Sequence, residues 1–179
     1  MQSLKELKKA GIDNYNHNLE TSKEFYSKIC TTHSWQERFQ TCLNVKEAGL
    51  NLCSGGIFGL GESDEDRISL LKSLQELDPM SVPINFFHPN PALKIQQKKM
   101  TQKEAFEVLK LVNEYLPNKM LMVAGGRELV FEDKQYDIFE YGINSIVIGD
   151  YLTTKGNQAE KDIHKLQTLG YNIATDCTR

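Results

Sequence analysis

At 179 residues the chain is long enough for one ordinary domain that buries most of its apolar surface, and 40% hydrophobic with 25% charged residues is a globular composition. No segment approaches the ~20 apolar residues that span a bilayer, and a net charge of −3 with Lys and Glu interspersed forms no basic stripe for nucleic acid. Membrane and nucleic-acid partners are therefore set aside, and a soluble, cytoplasmic protein is expected.

MQSLKELKKAG has no apolar signal core and reads as the last turns of an amphipathic helix. Residues 13–19, DNYNHNL, alternate Tyr15, His17 and Leu19 with Asn14, Asn16 and Asn18, the period of a strand with amides on one face. WQERFQTCLNVKEAG puts Trp35, Phe39, Cys42, Leu43 and Val45 on one helical side, with Gly49 as the stop. LNLCSGGIFG reads as a buried strand running into glycines. Ser63 with Asp66 makes a capping box for the helix DEDRISLLKSLQEL, which stops near Pro79. VPINFF is a short strand, and His88 to Met100 has no period and is a loop. Thr101 with Glu104 caps the helix KEAFEVLKLVNEYL, ended by Pro117. KMLMVAGG reads as a strand, YDIFEYG as a short helix, NSIVIG as strand-like, and AEKDIHKLQTLG as a last amphipathic helix.

Strand and helix alternating four times with short connections is the pattern of successive βαβ units in a parallel sheet. Four units make half of a TIM-type β/α barrel, whose full circle takes about 250 residues. Residues 1–179 are therefore expected to be the C-terminal part of one barrel domain whose N-terminal half lies outside this sequence. The two outer strands of such a half-barrel would present unpaired backbone, so the isolated chain is expected to be poorly soluble or to pair with a second copy.

In a parallel barrel the site lies at the carboxyl ends of the strands. Four ends are polar or glycine-rich: Asn16, Asn18 and Glu20 at period two, Cys53 before SGGIFGLGE, Asn85 after VPI, and AGGRE. Amides beside a carboxylate suit neutral polar groups, such as a urea-like ring or ribose hydroxyls, because an amide both donates and accepts. The competing reading is that the asparagines cap neighbouring loops. SGGIFGLGE stands between a strand and a helix start, as phosphate cradles do. Glu62, Asp64, Glu65 and Asp66 would repel an anion there, so the glycines are read as letting a flat ligand approach the backbone. The cysteines Cys30, Cys42, Cys53 and Cys177 match neither a CxxC knuckle nor a run of iron–sulfur ligands, and no histidine pairs with another ligand at metal spacing.

YNHNLETS, TTHSWQERF, AGLNLCSGGIFGLGE, VPIN and AGGRE, in this order and spacing and continuing into GDYLTTKG, resemble the second half of the biotin synthases, a family of radical S-adenosylmethionine enzymes. The resemblance implies a β/α barrel holding S-adenosylmethionine, dethiobiotin, a [4Fe–4S] and a [2Fe–2S] cluster, in an enzyme that inserts sulfur into dethiobiotin and forms a homodimer. It implies that Asn16 and Asn18 hydrogen-bond the ureido ring and neighbouring cofactor hydroxyls, and that Asn85 is a third ureido contact. Asn18, Glu20, Arg38 and Ile57 would meet S-adenosylmethionine: Glu20 at the ribose, Arg38 at the methionyl carboxylate, Ile57 against the adenine. Cys53 would be one ligand of the [2Fe–2S] cluster, the sulfur donor, as befits a soft thiolate.

Two departures stand out. The family's CxxxCxxC triad, which binds the [4Fe–4S] cluster, does not occur in these 179 residues, so no catalytic residue is assigned and the chain alone is expected to be inactive. Near Met122 many members place an arginine cluster ligand, whereas the inward candidates here are Met120, Met122 and Ala124; that role is not transferred. Arg127 of AGGRE fits a plain ion pair equally well. The alternatives are another radical enzyme acting on a different small molecule, and a non-catalytic half-barrel that binds or assembles.

Overall fold

The computed structural model describes residues 2–151 and 155–174. Cys177 and residues 152–154 of the GDYLTTKG stretch lie outside them. After helix α1 (Gln2–Lys9) the chain alternates strand and helix: β1 (Asn14–Asn16), α2 (Lys23–Tyr26), α3 (Trp35–Glu47), β2 (Asn51–Cys53), β3 (Gly56–Phe58), α4 (Asp64–Leu77), β4 (Ser81–Phe86), α5 (Gln102–Tyr115), β5 (Met120–Val123), α6 (Arg127–Phe131), β6 (Ser145–Ile146) and α7 (Ala159–Thr168). All pairings are parallel, in the order β1-β2-β4-β5-β6, with β3 continuing beside β4 where β2 leaves off. The expected βα units are present, and β6 adds a fifth strand position at the outer edge. Among the described residues no helix is long and apolar enough to cross a membrane.

The helices start where their caps dictate. Ser34, Ser63 and Thr101 each accept from the third helical N–H while the Glu37, Asp66 or Glu104 side chain accepts from the cap N–H. Asp78 closes α4 in the left-handed conformation, and Pro79 follows.

The period of two then separates the two faces of the sheet. Leu52, Val82, Ile84, Leu121 and Val123 are buried under the helices, each at 2% exposure or less, a position worth about 1.5–3 kcal/mol per side chain. From the opposite face project Asn14, Asn16, Asn51, Cys53, Ser81, Pro83, Asn85, Met120 and Met122, in cross-strand register. Met120 and Met122, expected to point inward, belong to this face and are partly exposed.

Three local expectations change. Leu43 is 38% exposed rather than part of the buried side of α3, which Trp35, Phe39, Cys42 and Val45 fill without it. LNLCSGGIFG is two strands, because the chain steps at Ser54–Gly55 to carry its pairing further along β4. AGGRE opens a helix, α6, that strand-period reading passed over, and YDIFEYG is a 3-10 helix over Asp137–Tyr141.

Candidate functional site

Parallel strands bring their carboxyl ends to one rim, and that topology gathers residues far apart in sequence. Asn16 stands opposite Cys53 in the β1–β2 register, and its Nδ2 lies 3.3 Å from Cys53 Sγ and 3.4 Å from Asn18 Oδ1. Asn18 Oδ1 also accepts from the Gly55 N–H at 3.2 Å. Asn85 ties neighbouring strand ends, donating to Gly56 O at 3.2 Å and accepting from the Gly125 N–H at 3.0 Å. The loop-capping reading of the asparagines is thus part of the picture. Each amide keeps hydrogen-bonding capacity beyond these contacts, since an amide offers two N–H and two lone pairs.

Asn18, Glu20, Arg38, Ile57 and Asn85 line one cleft of about 590 Å³ together with the apolar Leu60, Phe87 and Ile95. Asn16 and Cys53 adjoin it through the Asn16–Asn18 contact. Glu20 sits on the continuation of β1, bridged to Gly56, with φ of 70°, a conformation that costs a non-glycine residue of order 1–3 kcal/mol. Ile57 N–H donates to its carbonyl at 2.7 Å, which holds that backbone in place. Burial pushes the Glu20 carboxyl above its ordinary value, against the pull of Arg38, whose NH2 is 3.2 Å away. Arg38 Nε donates to Asn18 O at 2.6 Å.

Other residues of the rim escaped sequence reasoning. His33 lies with Nε2 3.0 Å from Arg38 NH1 and 2.8 Å from Tyr26 Oη, and Cys30 Sγ is 3.6 Å from its Nδ1. Hydrogen bonds with Thr32 and Tyr26 lower the Cys30 thiol to about 6. Burial pushes Tyr26 up to about 12. Their signal was present in TTHSWQER, where a histidine precedes Arg38 by five residues across a helix cap.

The glycine reading is corrected. A Cβ on Gly55 would lie 1.9 Å from Pro83 O, and one on Gly56 2.8 Å from Glu20 O, so these two glycines serve strand packing rather than ligand approach. Glu62 is likewise no lone anion at a helix start. It is buried, accepts from the Gly59 and Leu60 N–H groups at 2.9 and 2.7 Å, and pairs with Arg67 at 2.9 Å, fixing the glycine loop. Arg127 is fully buried in an ion pair with Asp162. Among the described residues no group of three or more His, Cys, Asp or Glu side chains is disposed to hold a metal ion by itself.

Residues 83–172 match the family model described as Biotin and Thiamin Synthesis associated domain. The chain belongs to that family. Residues 2–74 match the Radical SAM superfamily model. As a family member it is 62% identical over 98% of its length to a biotin synthase of Aliarcobacter butzleri, and 61% identical over 97% to one of Nitratiruptor sp.. It spans 62% of the length of each. In fold it resembles methylornithine synthase (PylB), with a TM-score of 0.77 at 16% identity over 97% of this chain and 56% of that one. The parallel sheet with helices on one side is thus a partial β/α barrel.

Proposed function

We propose that these residues are the substrate- and cofactor-orienting part of a biotin synthase, acting in a whole barrel that inserts sulfur into dethiobiotin. The observation that carries this reading is the gathering of Asn16, Asn18, Cys53 and Asn85 from three strands onto one rim beside a cleft that holds Glu20 and Arg38.

The donor set suits the groups this reaction needs. A cleft of about 590 Å³ with an apolar Ile57 wall and a guanidinium–carboxylate pair at one end matches a ligand bearing a flat base, hydroxyls and an amino acid head, as S-adenosylmethionine does. Cys53 is a partly exposed free thiol with an amide donor at 3.3 Å, fit to be one thiolate ligand of a [2Fe–2S] cluster whose other ligands lie outside the described residues. S-adenosylmethionine beside a [4Fe–4S] cluster supplies hydrogen-abstracting radical chemistry, and the [2Fe–2S] cluster supplies the sulfur.

This chain's residues orient. Asn16 and Asn85 offer the donors and acceptors that a ureido ring complements. Asn18 would serve both the ureido ring and the cofactor hydroxyls. The Glu20 carboxylate accepts from ribose hydroxyls, and Arg38 takes the methionyl carboxylate. Tight placement of otherwise unactivated carbons is where such residues gain rate.

In the full-length protein with reconstituted clusters, Asn16→Ala and Asn85→Ala should each weaken dethiobiotin binding about tenfold, the scale of one well-made ligand hydrogen bond. Cys53→Ala should abolish the visible absorption of the [2Fe–2S] cluster while sparing the [4Fe–4S] signal. Unchanged dethiobiotin affinity in both Asn variants, or an intact [2Fe–2S] spectrum without Cys53, would rule the assignment out.

A further inference from the structure

We propose that His33 is a positioning residue for Arg38, fixing the guanidinium that receives a carboxylate-bearing ligand in the cleft; the inference rests on the reading of that cleft as an S-adenosylmethionine site. A guanidinium carries five N–H donors and no acceptor. At 3.0 Å from Arg38 NH1, His33 Nε2 must therefore present a lone pair, which puts the ring proton on Nδ1. Nδ1 has acceptors to match, with Thr32 Oγ1 at 3.0 Å and Cys30 Sγ at 3.6 Å. Tyr26 Oη also lies 2.8 Å from Nε2.

Arg38 is thereby held at each of its three nitrogens: Nε to Asn18 O at 2.6 Å, NH2 to Glu20 at 3.2 Å, and NH1 to His33. Three N–H groups are used. Each terminal nitrogen keeps a second N–H, a donor from which a carboxylate oxygen can accept. Without His33, NH1 loses its imidazole acceptor, and the guanidinium is less firmly held against turning about the Nε and NH2 contacts. Fixing the fork in advance lowers the ordering cost at binding, so the benefit falls on the carboxylate and on nothing else in the ligand.

That selectivity gives the test. Binding of S-adenosylmethionine and of its decarboxylated analogue to the full-length, cluster-loaded protein is measured by titration calorimetry under anaerobic conditions, for wild type, His33→Leu, His33→Gln and Arg38→Leu. His33→Leu should weaken S-adenosylmethionine about three- to tenfold and leave the decarboxylated analogue within about twofold. His33→Gln keeps a carbonyl acceptor within reach of NH1 and should recover much of the loss. Equal weakening of both ligands by His33→Leu, with no recovery in His33→Gln, would make His33 merely structural and overturn the proposal, as would no weakening of either. If Arg38→Leu distinguishes the carboxylate and His33→Leu does not, the positioning role alone fails. If Arg38→Leu does not distinguish it either, the reading of the cleft fails as well.

Discussion

Two polar clusters in this fold differ in how completely their members satisfy one another. Between α6 and α7, Asp162 accepts from Arg127 NH2 and Tyr136 Oη, each at 2.6 Å, from Asn157 Nδ2 at 3.0 Å and from Arg127 NH1 at 3.4 Å, and both charged side chains are fully buried. At the strand-end rim, Asn16, Asn18 and Asn85 make two or three contacts each and stay partly or wholly exposed. A buried charge demands that its partners be complete, because an unpaired one costs several kcal/mol, whereas a site must keep donors and acceptors in reserve for its ligand. Near-complete pairing, with only Nε of the Arg127 guanidinium left without a partner, marks the first cluster as structural. Reserve capacity marks the second as a place where something binds.

Breaking the closed cluster should have the largest effect on folding. Arg127→Leu strands Asp162 and should cost about 3–5 kcal/mol in urea denaturation, while Arg127→Met combined with Asp162→Leu should cost less, since neither charge is then left alone. A loss under about 1 kcal/mol for the single variant would show that the cluster is not closed in solution. The sign with pH follows from Asp162. Burial pushes its carboxyl up, but hydrogen bonds from Arg127, Tyr136 and Asn157 outweigh that and hold it below 3.8. Its contribution is present above the ordinary value and is lost as pH falls through the lower folded one, so the stability gap between wild type and Asp162→Asn should narrow below pH 3.8.

A smaller effect separates members of the rim itself. Asn85 bridges two strand ends through both its amide groups, so Asn85→Ala should cost about 1–2 kcal/mol of stability as well as ligand affinity. Asn18 gives the fold one backbone contact at 3.2 Å, and Asn18→Ala should cost roughly 0.5 kcal/mol or less while weakening S-adenosylmethionine binding. Equal stability losses in denaturant melts would erase this distinction between a bridging and a reserved amide.

Most of the architecture was legible in the sequence because periodicity and caps are local. Two capping boxes, Ser63–Asp66 and Thr101–Glu104, fixed the starts of α4 and α5, and period two announced β1, while the Ser34–Glu37 box of α3 passed unread. The rim was legible for the same reason: a parallel sheet fixes which end of every strand is shared, so Asn16, Cys53 and Asn85 could be grouped without coordinates. What stayed hidden depends on contacts distant in sequence. Gly55 packs on Pro83, 28 positions on, and nothing near Gly55 says so. The Arg127–Asp162 pair joins residues 35 apart. His33 reads as an exposed loop residue until Arg38 is turned back toward it by the first turn of α3.

The smallest expected consequence for folding, and the sharpest probe of openness, concerns two thiols. Cys30 is partly exposed at the cleft and is lowered to about 6 by hydrogen bonds with Thr32 and Tyr26, while Cys42 is buried against Ser54 and its thiol is pushed up by burial. A lowered thiol is deprotonated from a lower pH upward, so the alkylation rate of Cys30 by iodoacetamide should rise through a midpoint near 6. An ordinary cysteine would do so near ~8.5. Site-resolved mass spectrometry separates Cys30 from Cys53 in the same sample. Thr32→Val removes the leading hydrogen bond and should move the Cys30 midpoint upward, with Cys42 unreactive throughout until the protein unfolds. A Cys30 midpoint near ~8.5 in the wild type, or parallel labelling of Cys30 and Cys42, would mean that this side of the rim is as closed as the Arg127–Asp162 cluster.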